Sequence, residues 1–109
     1  MRALATGAAL LLLLAGVADA HTLGAKRARR AANAYAAKLQ TQLEGGYGHS
    51  VVSCRKRSAH ARRCHILVLT FSDNPERCDE VVVVKLRGRR THRIRVVPLE
   101  RTFRCLVQR

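Results

Sequence analysis

The chain has 109 residues, 21 of them Lys or Arg and only 7 Asp or Glu, which gives a formal net charge of +14. This length suits one small domain, and the charge favours anionic partners such as nucleic acid, acidic polysaccharide or a negatively charged membrane or wall. No Gly-x-Ser-x-Gly, phosphate-binding loop, suitably spaced carboxylate pair or zinc-type Cys-x-x-Cys is present, so we predict that the protein is not an enzyme.

Residues 1–20 have the three parts of a secretory signal peptide: a positive start at Arg2, an apolar centre, and small residues at Ala18 and Ala20. We predict cleavage after Ala20 and one mature domain over residues 21–109, secreted or associated with the cell envelope. The apolar centre is shorter than the roughly 20 residues of a membrane span. A domain this small buries little surface, so the cysteines are expected to stabilise it as disulfides, by roughly 2–4 kcal/mol each.

The first element of the mature chain is predicted to be a helix over residues 22–44. Its apolar side chains recur at spacings of three and four and therefore form one stripe. The stripe consists of Ala28, Ala32, Tyr35, Leu39 and Leu43. Thr22 is expected to cap the start of the helix, and Gly45-Gly46 to end it by allowing a left-handed turn. Basic residues in the first turns oppose the helix dipole, which indicates a purpose other than helix stability.

Residues 50–71 are predicted to form a β-hairpin closed by its own cysteines. Side chains alternate between the faces of a strand, so Cys54 and Cys64 can bond only in a register that sets them opposite each other. That register centres the turn on Ala59. It also pairs Val52 with Ile66 and Ser50 with Val68. The alternative, two free buried thiols, is disfavoured in an exported chain.

Two further strands are predicted after a turn at residues 72–77. The first covers residues 78–87, and residues 88–90 reverse the chain into the second, which runs over residues 91–97 and ends at Pro98. The register that best separates apolar from basic side chains pairs Val84 with Ile94 and Val82 with Val96. The other face then carries Lys85, Arg87, Arg93 and Arg95.

The predicted fold is α+β: an N-terminal helix packed on a four-stranded antiparallel meander, with two disulfides. Because the chain returns toward the third strand after Pro98, Cys78–Cys105 is the second predicted pair, one of three connectivities that four cysteines allow. This order of elements resembles the architecture of cystatins. The Gln-x-Val-x-Gly loop and Pro-Trp hairpin of cystatins are absent, so the resemblance implies architecture alone and no inhibition of proteases.

Metal binding is considered and not predicted. His21 would be the mature N-terminus, where its amine and imidazole would chelate copper if His49, His60, His65 or His92 supplied a second ligand. A zinc site from Cys54, His60, Cys64 and His65 conflicts with oxidation of the opposed cysteines. An acidic group around one turn could bind a cation, but the residue preferences of turns and the neighbouring Arg77 explain it more simply. This group consists of Asp73, Glu76, Asp79 and Glu80. We therefore predict no metal or cofactor.

Two basic clusters remain, one in each predicted hairpin. The first contains Arg55, Lys56, Arg57, Arg62 and Arg63, and the second contains Lys85, Arg87, Arg89, Arg90, Arg93 and Arg95. Arginine predominates, and its guanidinium group binds phosphate, sulfate or carboxylate in bidentate fashion. Aromatic residues that could stack on bases are sparse, which favours nonspecific contact with a nucleic-acid backbone over sequence reading.

These features predict a secreted, noncatalytic module that binds an anionic polymer or cell-envelope surface electrostatically. Two alternatives stay open. One is a structural or protein-interaction domain whose charge is incidental. The other is a cationic antimicrobial protein, for which the chain offers no obvious amphipathic segment that would insert into a membrane.

Overall fold

The computed structural model describes residues 22–87 and 93–108. Within these residues one helix, α1 (Ala25–Gln42), precedes five antiparallel strands. The strands are β1 (Gly46–Ser58), β2 (Ala61–Phe71), β3 (Pro75–Arg87), β4 (Arg93–Pro98) and β5 (Arg104–Val107). The predicted signal peptide, the reversal at residues 88–90, and the predicted roles of His21, Arg89, Arg90 and His92 lie outside the described residues.

Helix α1 is shorter at both ends than the sequence predicts. Its N-cap is Gly24, which makes no side-chain cap hydrogen bond, so the prediction that Thr22 caps the helix is wrong. At the other end the Leu43 N–H donates to the Leu39 carbonyl oxygen. Gly45 then takes the left-handed conformation at φ 73°, as predicted, and a Cβ there would collide with the backbone of Phe71.

The sheet contains one strand more than predicted. Strands β1 to β4 follow one another in space, but β4 pairs only with the second half of β3, and β5 pairs with the first half. Between them the Leu99 N–H donates to the Val81 carbonyl oxygen, and the Val81 N–H donates to Thr102 Oγ1 at 3.1 Å. The edge of the long strand β3 is therefore covered along most of its length by two short strands and the Thr102 side chain.

The first hairpin keeps the predicted register at its tip, where Cys54 lies opposite Cys64. An extra residue at Val52 shifts the register further along β1, so the predicted pairs beyond it are wrong. The observed pairs are Val51 with Ile66 and His49 with Val68, in place of Val52 and Ser50. A second irregularity, between Lys56 and Ser58, moves the centre of the turn from Ala59 to the Ala59-His60 pair.

The predicted register of β3 and β4 is wrong by two residues. Val84 lies opposite Val96, and Leu86 lies opposite Ile94. A shift of two leaves every side chain on its predicted face, because faces alternate with a period of two. It changes the cross-strand neighbours, so that Lys85 lies opposite Arg95 and Arg87 opposite Arg93.

The hydrophobic core joins α1 to one face of the sheet. Ala28, Ala32 and Ala36 have no exposed surface and share one cluster with apolar side chains from the strands. The strand members of that cluster are Val51, Cys64, Ile66, Val82 and Val84. Tyr35 and Leu39, from the predicted stripe, pack at its border.

Both predicted disulfides are confirmed. Cys54–Cys64 joins β1 to β2 and Cys78–Cys105 joins β3 to β5, with Cα atoms 4.0 and 3.9 Å apart. In each pair the two cysteines lie directly opposite each other, as the parity of the strands requires. The zinc alternative is therefore excluded, because its two thiols are oxidised.

Candidate anion-binding site

The face of the sheet turned away from the α1 core, called here the outer face, concentrates positive charge. Residues that alternate with the core residues of β1 to β4 point to this face. Six of them are exposed basic residues, called here the basic face: Arg55, Arg63, Lys85, Arg87, Arg93 and Arg95. The pairs Arg55–Arg63, Lys85–Arg95 and Arg87–Arg93 are directly opposed across neighbouring strands.

Other basic residues of the first predicted cluster do not join this face. Lys56 and Arg62 are opposed to each other and alternate onto the α1 side of the sheet. Arg62 is half-buried, and its Nε donates a hydrogen bond to the Leu23 carbonyl oxygen at 3.1 Å. The Leu23 N–H in turn donates to the Ala59 carbonyl oxygen. This arginine therefore ties the start of the helix to the hairpin tip. Arg57 is exposed at the register irregularity beside the turn.

A cavity of about 320 Å³ opens on the outer face beside the first arginine pair. Its lining consists of Ser53, Arg55, Arg63, His65 and Val81, and we call it the Ser53–His65 cleft. Ser53 lies opposite His65, one row along the hairpin from Arg55 and Arg63. Two guanidinium groups, a hydroxyl and an imidazole therefore surround one space.

The imidazole of His65 is held by an ion-paired carboxylate on β3. Its Nε2 lies 2.6 Å from Asp79 Oδ1, and Arg77 donates from Nε and Nη2 to the same carboxylate at 3.0–3.2 Å. Partial burial alone would raise the pKa of Asp79, but the hydrogen bonds and charges of Arg77 and His65 outweigh it and lower the pKa. The carboxylate is thus an acceptor, so His65 Nε2 carries the proton of this bond.

Ser53, His65 and Asp79 are the residue types of a hydrolase triad and lie on three neighbouring strands. Among the described residues, however, the Ser53 hydroxyl makes no hydrogen bond to His65, the contact that would activate a nucleophile. Asp79 is also neutralised by Arg77. The arrangement offers hydrogen-bond donors to an anion, and the absence of enzymatic activity stays a prediction.

A second basic cavity lies between α1 and β1, where the sequence predicted no site. It measures about 430 Å³ and is lined by Lys26, Arg29, Arg30, Asn33, Ser50 and Val51. Arg29 Nη1 is already engaged there, since it donates to the Val51 carbonyl oxygen at 3.2 Å. The sequence signal for this cavity was the basic first turns of the helix, which work against the helix dipole.

The acidic residues at and after the turn between β2 and β3 do not converge on one site. Glu80 is buried on the α1 side and accepts a hydrogen bond of 2.7 Å from the Tyr35 hydroxyl, whereas Asp79 points to the outer face. Burial and the neighbouring Glu80 raise the pKa of Tyr35 to about 12. In the described part of the chain, one group of possible ligands lies close enough together to hold a metal ion: Glu76, Cys78 and Cys105. Its two sulfur atoms form a disulfide and so are not free thiolate ligands.

Comparisons with protein families, with curated proteins and with solved structures found no match to this chain. The likeness to cystatins therefore rests on the order of elements alone. No helix in residues 22–87 and 93–108 is long and apolar enough to cross a membrane. The chemistry of the outer face is thus the basis for assigning a function.

Proposed function

We propose that the protein is a secreted, noncatalytic module that binds sulfated or phosphorylated polyanions through the basic face. The observation that carries the proposal is the direct opposition of like charges in three cross-strand pairs. Such a pair is destabilising in isolation, by roughly 0.2–1 kcal/mol. A bound polyanion would neutralise all three pairs at once. Binding would thereby relieve the charge repulsion, which explains why the pairs are directly opposed.

Export and architecture belong to the same proposal. Disulfides persist in oxidising compartments, and the two found here agree with the signal-peptide pattern of residues 1–20. We also propose a cystatin-like arrangement, in which the helix covers one face of the sheet. That arrangement leaves the outer face open to a long polymer.

Binding is expected to be electrostatic and tolerant of the polymer's sequence or sugar. The basic residues cluster at one end of the outer face, near the start of β2, while the exposed Phe71 lies at the other end of that strand. Phe71 therefore does not interleave with the arginines of the basic face, as base stacking would require. Release of counterions would supply most of the affinity, so binding should weaken steeply as salt rises.

The test compares retention of three proteins on heparin and on polyphosphate columns in a salt gradient. The first is the wild type, the second is Arg87→Gln/Arg93→Gln/Arg95→Gln, and the third is a control, Lys26→Gln/Arg30→Gln/Lys38→Gln. Both variants lose three charges from exposed residues, but only the first loses them from the basic face. We expect the first to elute at clearly lower salt, with a salt slope smaller by about one for each lost contact. The control should elute close to the wild type.

Failure of both columns to retain the wild-type protein above low salt would show that the charge is incidental. The alternative, a protein-interaction domain, would then stand. One observation favours it as a second candidate: Phe71 and Leu106 on the outer face are 56% and 60% exposed. These two side chains would be the first to replace in a search for a protein partner.

A further inference from the structure

The Ser53–His65 cleft differs from the rest of the basic face because its donors surround a single cavity. Arg55 and Arg63 are exposed and directly opposed, so both guanidinium groups are close to the same space. The Ser53 hydroxyl makes no side-chain hydrogen bond to another described residue. A tetrahedral oxyanion presents several acceptor oxygens, and two guanidinium forks with a hydroxyl match it better than they match a planar carboxylate.

His65 adds a donor whose orientation is fixed in advance. Its Nε2 is committed to Asp79, and Arg77 holds Asp79 from the same strand. The other ring nitrogen, Nδ1, has no hydrogen-bond partner in the described part of the chain. Protonation of the ring would turn Nδ1 into a second donor while the bond to Asp79 stays in place.

The groups that face His65 carry charges of both signs. From β1 they are Ser53 and Arg55, from β3 they are Arg77, Asp79 and Val81, and Arg63 is its neighbour on the same face of β2. Three fixed positive charges, on Arg55, Arg63 and Arg77, surround the imidazole, and the single negative charge of Asp79 offsets them in part. The negative charge of a bound anion would offset more of this positive charge, so anion binding and proton uptake should reinforce each other.

We infer that the Ser53–His65 cleft binds one tetrahedral oxyanion, the phosphate or sulfate group of a polyanion, and that protonated His65 takes part in holding it. This inference rests on the proposed function, because the cleft would be the anchoring subsite of the basic face. Arg55 and Arg63 supply the charge, Ser53 supplies a hydroxyl donor, and Asp79 with Arg77 positions the imidazole. The ligand class is a sulfate or phosphate ester.

The test follows the imidazole signals of His65 by NMR while inorganic sulfate or inorganic phosphate is added at constant ionic strength. Sulfate keeps both charges between about pH 5.5 and 7.5, the range in which histidine changes charge, so its affinity reports the protein alone. We expect a saturable shift of the His65 signals with both anions. Sulfate should bind several-fold more tightly at the lower pH. A preference for phosphate at the higher pH would point to phosphorylated polymers, and a preference for sulfate to sulfated ones.

Four variants locate the effect. Arg63→Gln should weaken sulfate binding about tenfold, the usual size of a lost charge-assisted hydrogen bond. His65→Gln should abolish the pH dependence and leave residual binding, and Ser53→Ala, which keeps the His65–Asp79 pair, should weaken binding a few-fold. The matched control is Lys38→Gln: this residue is exposed on α1, on the other side of the sheet, does not line the cleft, and should change neither quantity.

The outcomes separate this inference from the proposed function. If polymers retain the protein but neither anion produces a saturable shift at His65, the cleft is not a subsite and the basic face acts as a diffuse charge. Equal weakening by Arg63→Gln and Lys38→Gln would also overturn the inference. If the small anions bind at His65 while no polymer is retained, the proposed function fails and the cleft remains an anion site.

Discussion

The two faces of the sheet are built from the same strands but differ in burial and charge. In β3, the buried Val82 and Val84 belong to the core shared with α1, whereas Lys85 and Arg87 on the other face are exposed. Both disulfides also lie on the α1 side, because Cys64 and Cys78 alternate with outer-face residues. Strand parity therefore separates a packed, apolar side of the sheet from a charged side that is mostly exposed, so substitutions on the two faces should have separable effects.

One residue on the outer face, Val83, is buried and is expected to contribute to stability. Val83 is only 1% exposed although it points away from the α1 core, and it lies between Arg63 and Val97 on the adjacent strands. Arginine stems cover apolar surface while their charged ends stay in water. Replacing Arg63 with glutamine keeps part of the side-chain stem beside Val83 and removes only the charged end. Glutamine therefore separates the effect of charge from the effect of packing better than alanine does.

Reduction of both disulfides should have the largest effect on stability. Each crosslink is worth roughly 2–4 kcal/mol in a domain of this kind. Urea denaturation with and without a reducing agent should show a large fall in the midpoint, or no cooperative transition at all. An unchanged midpoint would contradict the view that the disulfides compensate for a small core.

The next largest effect compares two neighbours in β2 that point to opposite faces. Ile66 is fully buried against α1, and its replacement by alanine should lower the free energy of unfolding by about 2–5 kcal/mol. Leu67→Ala, on the half-buried outer face, should cost clearly less. Urea denaturation measures both, and equal losses would show that the outer face contributes to the core as much as the inner face does.

The Tyr35–Glu80 hydrogen bond predicts a loss of stability at alkaline pH. Since the pKa of Tyr35 is raised to about 12 in the folded state, its contribution is fully present below the unfolded pKa of about 10 and is lost as pH rises through 12. Tyr35→Phe should remove this dependence and cost roughly 1–3 kcal/mol at neutral pH, because Glu80 stays buried without its donor. Ultraviolet titration of the phenols is the check: a late ionisation that persists in Tyr35→Phe would refute the assignment.

The smallest expected effect on stability is at the basic face itself. Lys85→Gln/Arg95→Gln removes one pair of directly opposed charges, so unfolding should be unaffected or up to about 1 kcal/mol more costly at low salt. The gain should shrink at high salt, where the repulsion is screened. Denaturation at two salt concentrations measures it. A loss of more than about 1 kcal/mol would mean that these side chains hold the fold together.

The sequence predicted the features that depend on parity and missed those that depend on exact register. Opposed cysteines defined the tip of the first hairpin, and the alternation of basic with apolar residues at the end of β3 and in β4 defined the faces of these strands. The bulge at Val52 leaves no mark in composition, and a two-residue slip of β4 preserves both faces, so alternation could not detect either. Strand β5 is only 4 residues long, too short for a periodic pattern.

The Ser53–His65 cleft could not be predicted for a related reason. Its residues come from three strands, and only the pairing of β2 with β3 brings Asp79 within reach of His65. From the sequence, Asp79 belonged to an acidic turn and His65 to a list of copper ligands. The arginines alone were identified in advance, because their charge is visible without any knowledge of the register.

The most direct test of the account compares two adjacent arginines that point to opposite faces. Arg63 is exposed on the basic face, and Arg62 donates from Nε to the Leu23 carbonyl oxygen on the α1 side. In an NMR titration with a short heparin or polyphosphate fragment, the Nε–H signals of Arg63, Arg55 and Arg95 should shift and saturate, while that of Arg62 should stay nearly unchanged. Equal shifts for Arg62 and Arg63, or larger shifts for the helix arginines, would contradict the claim that the outer face carries the binding.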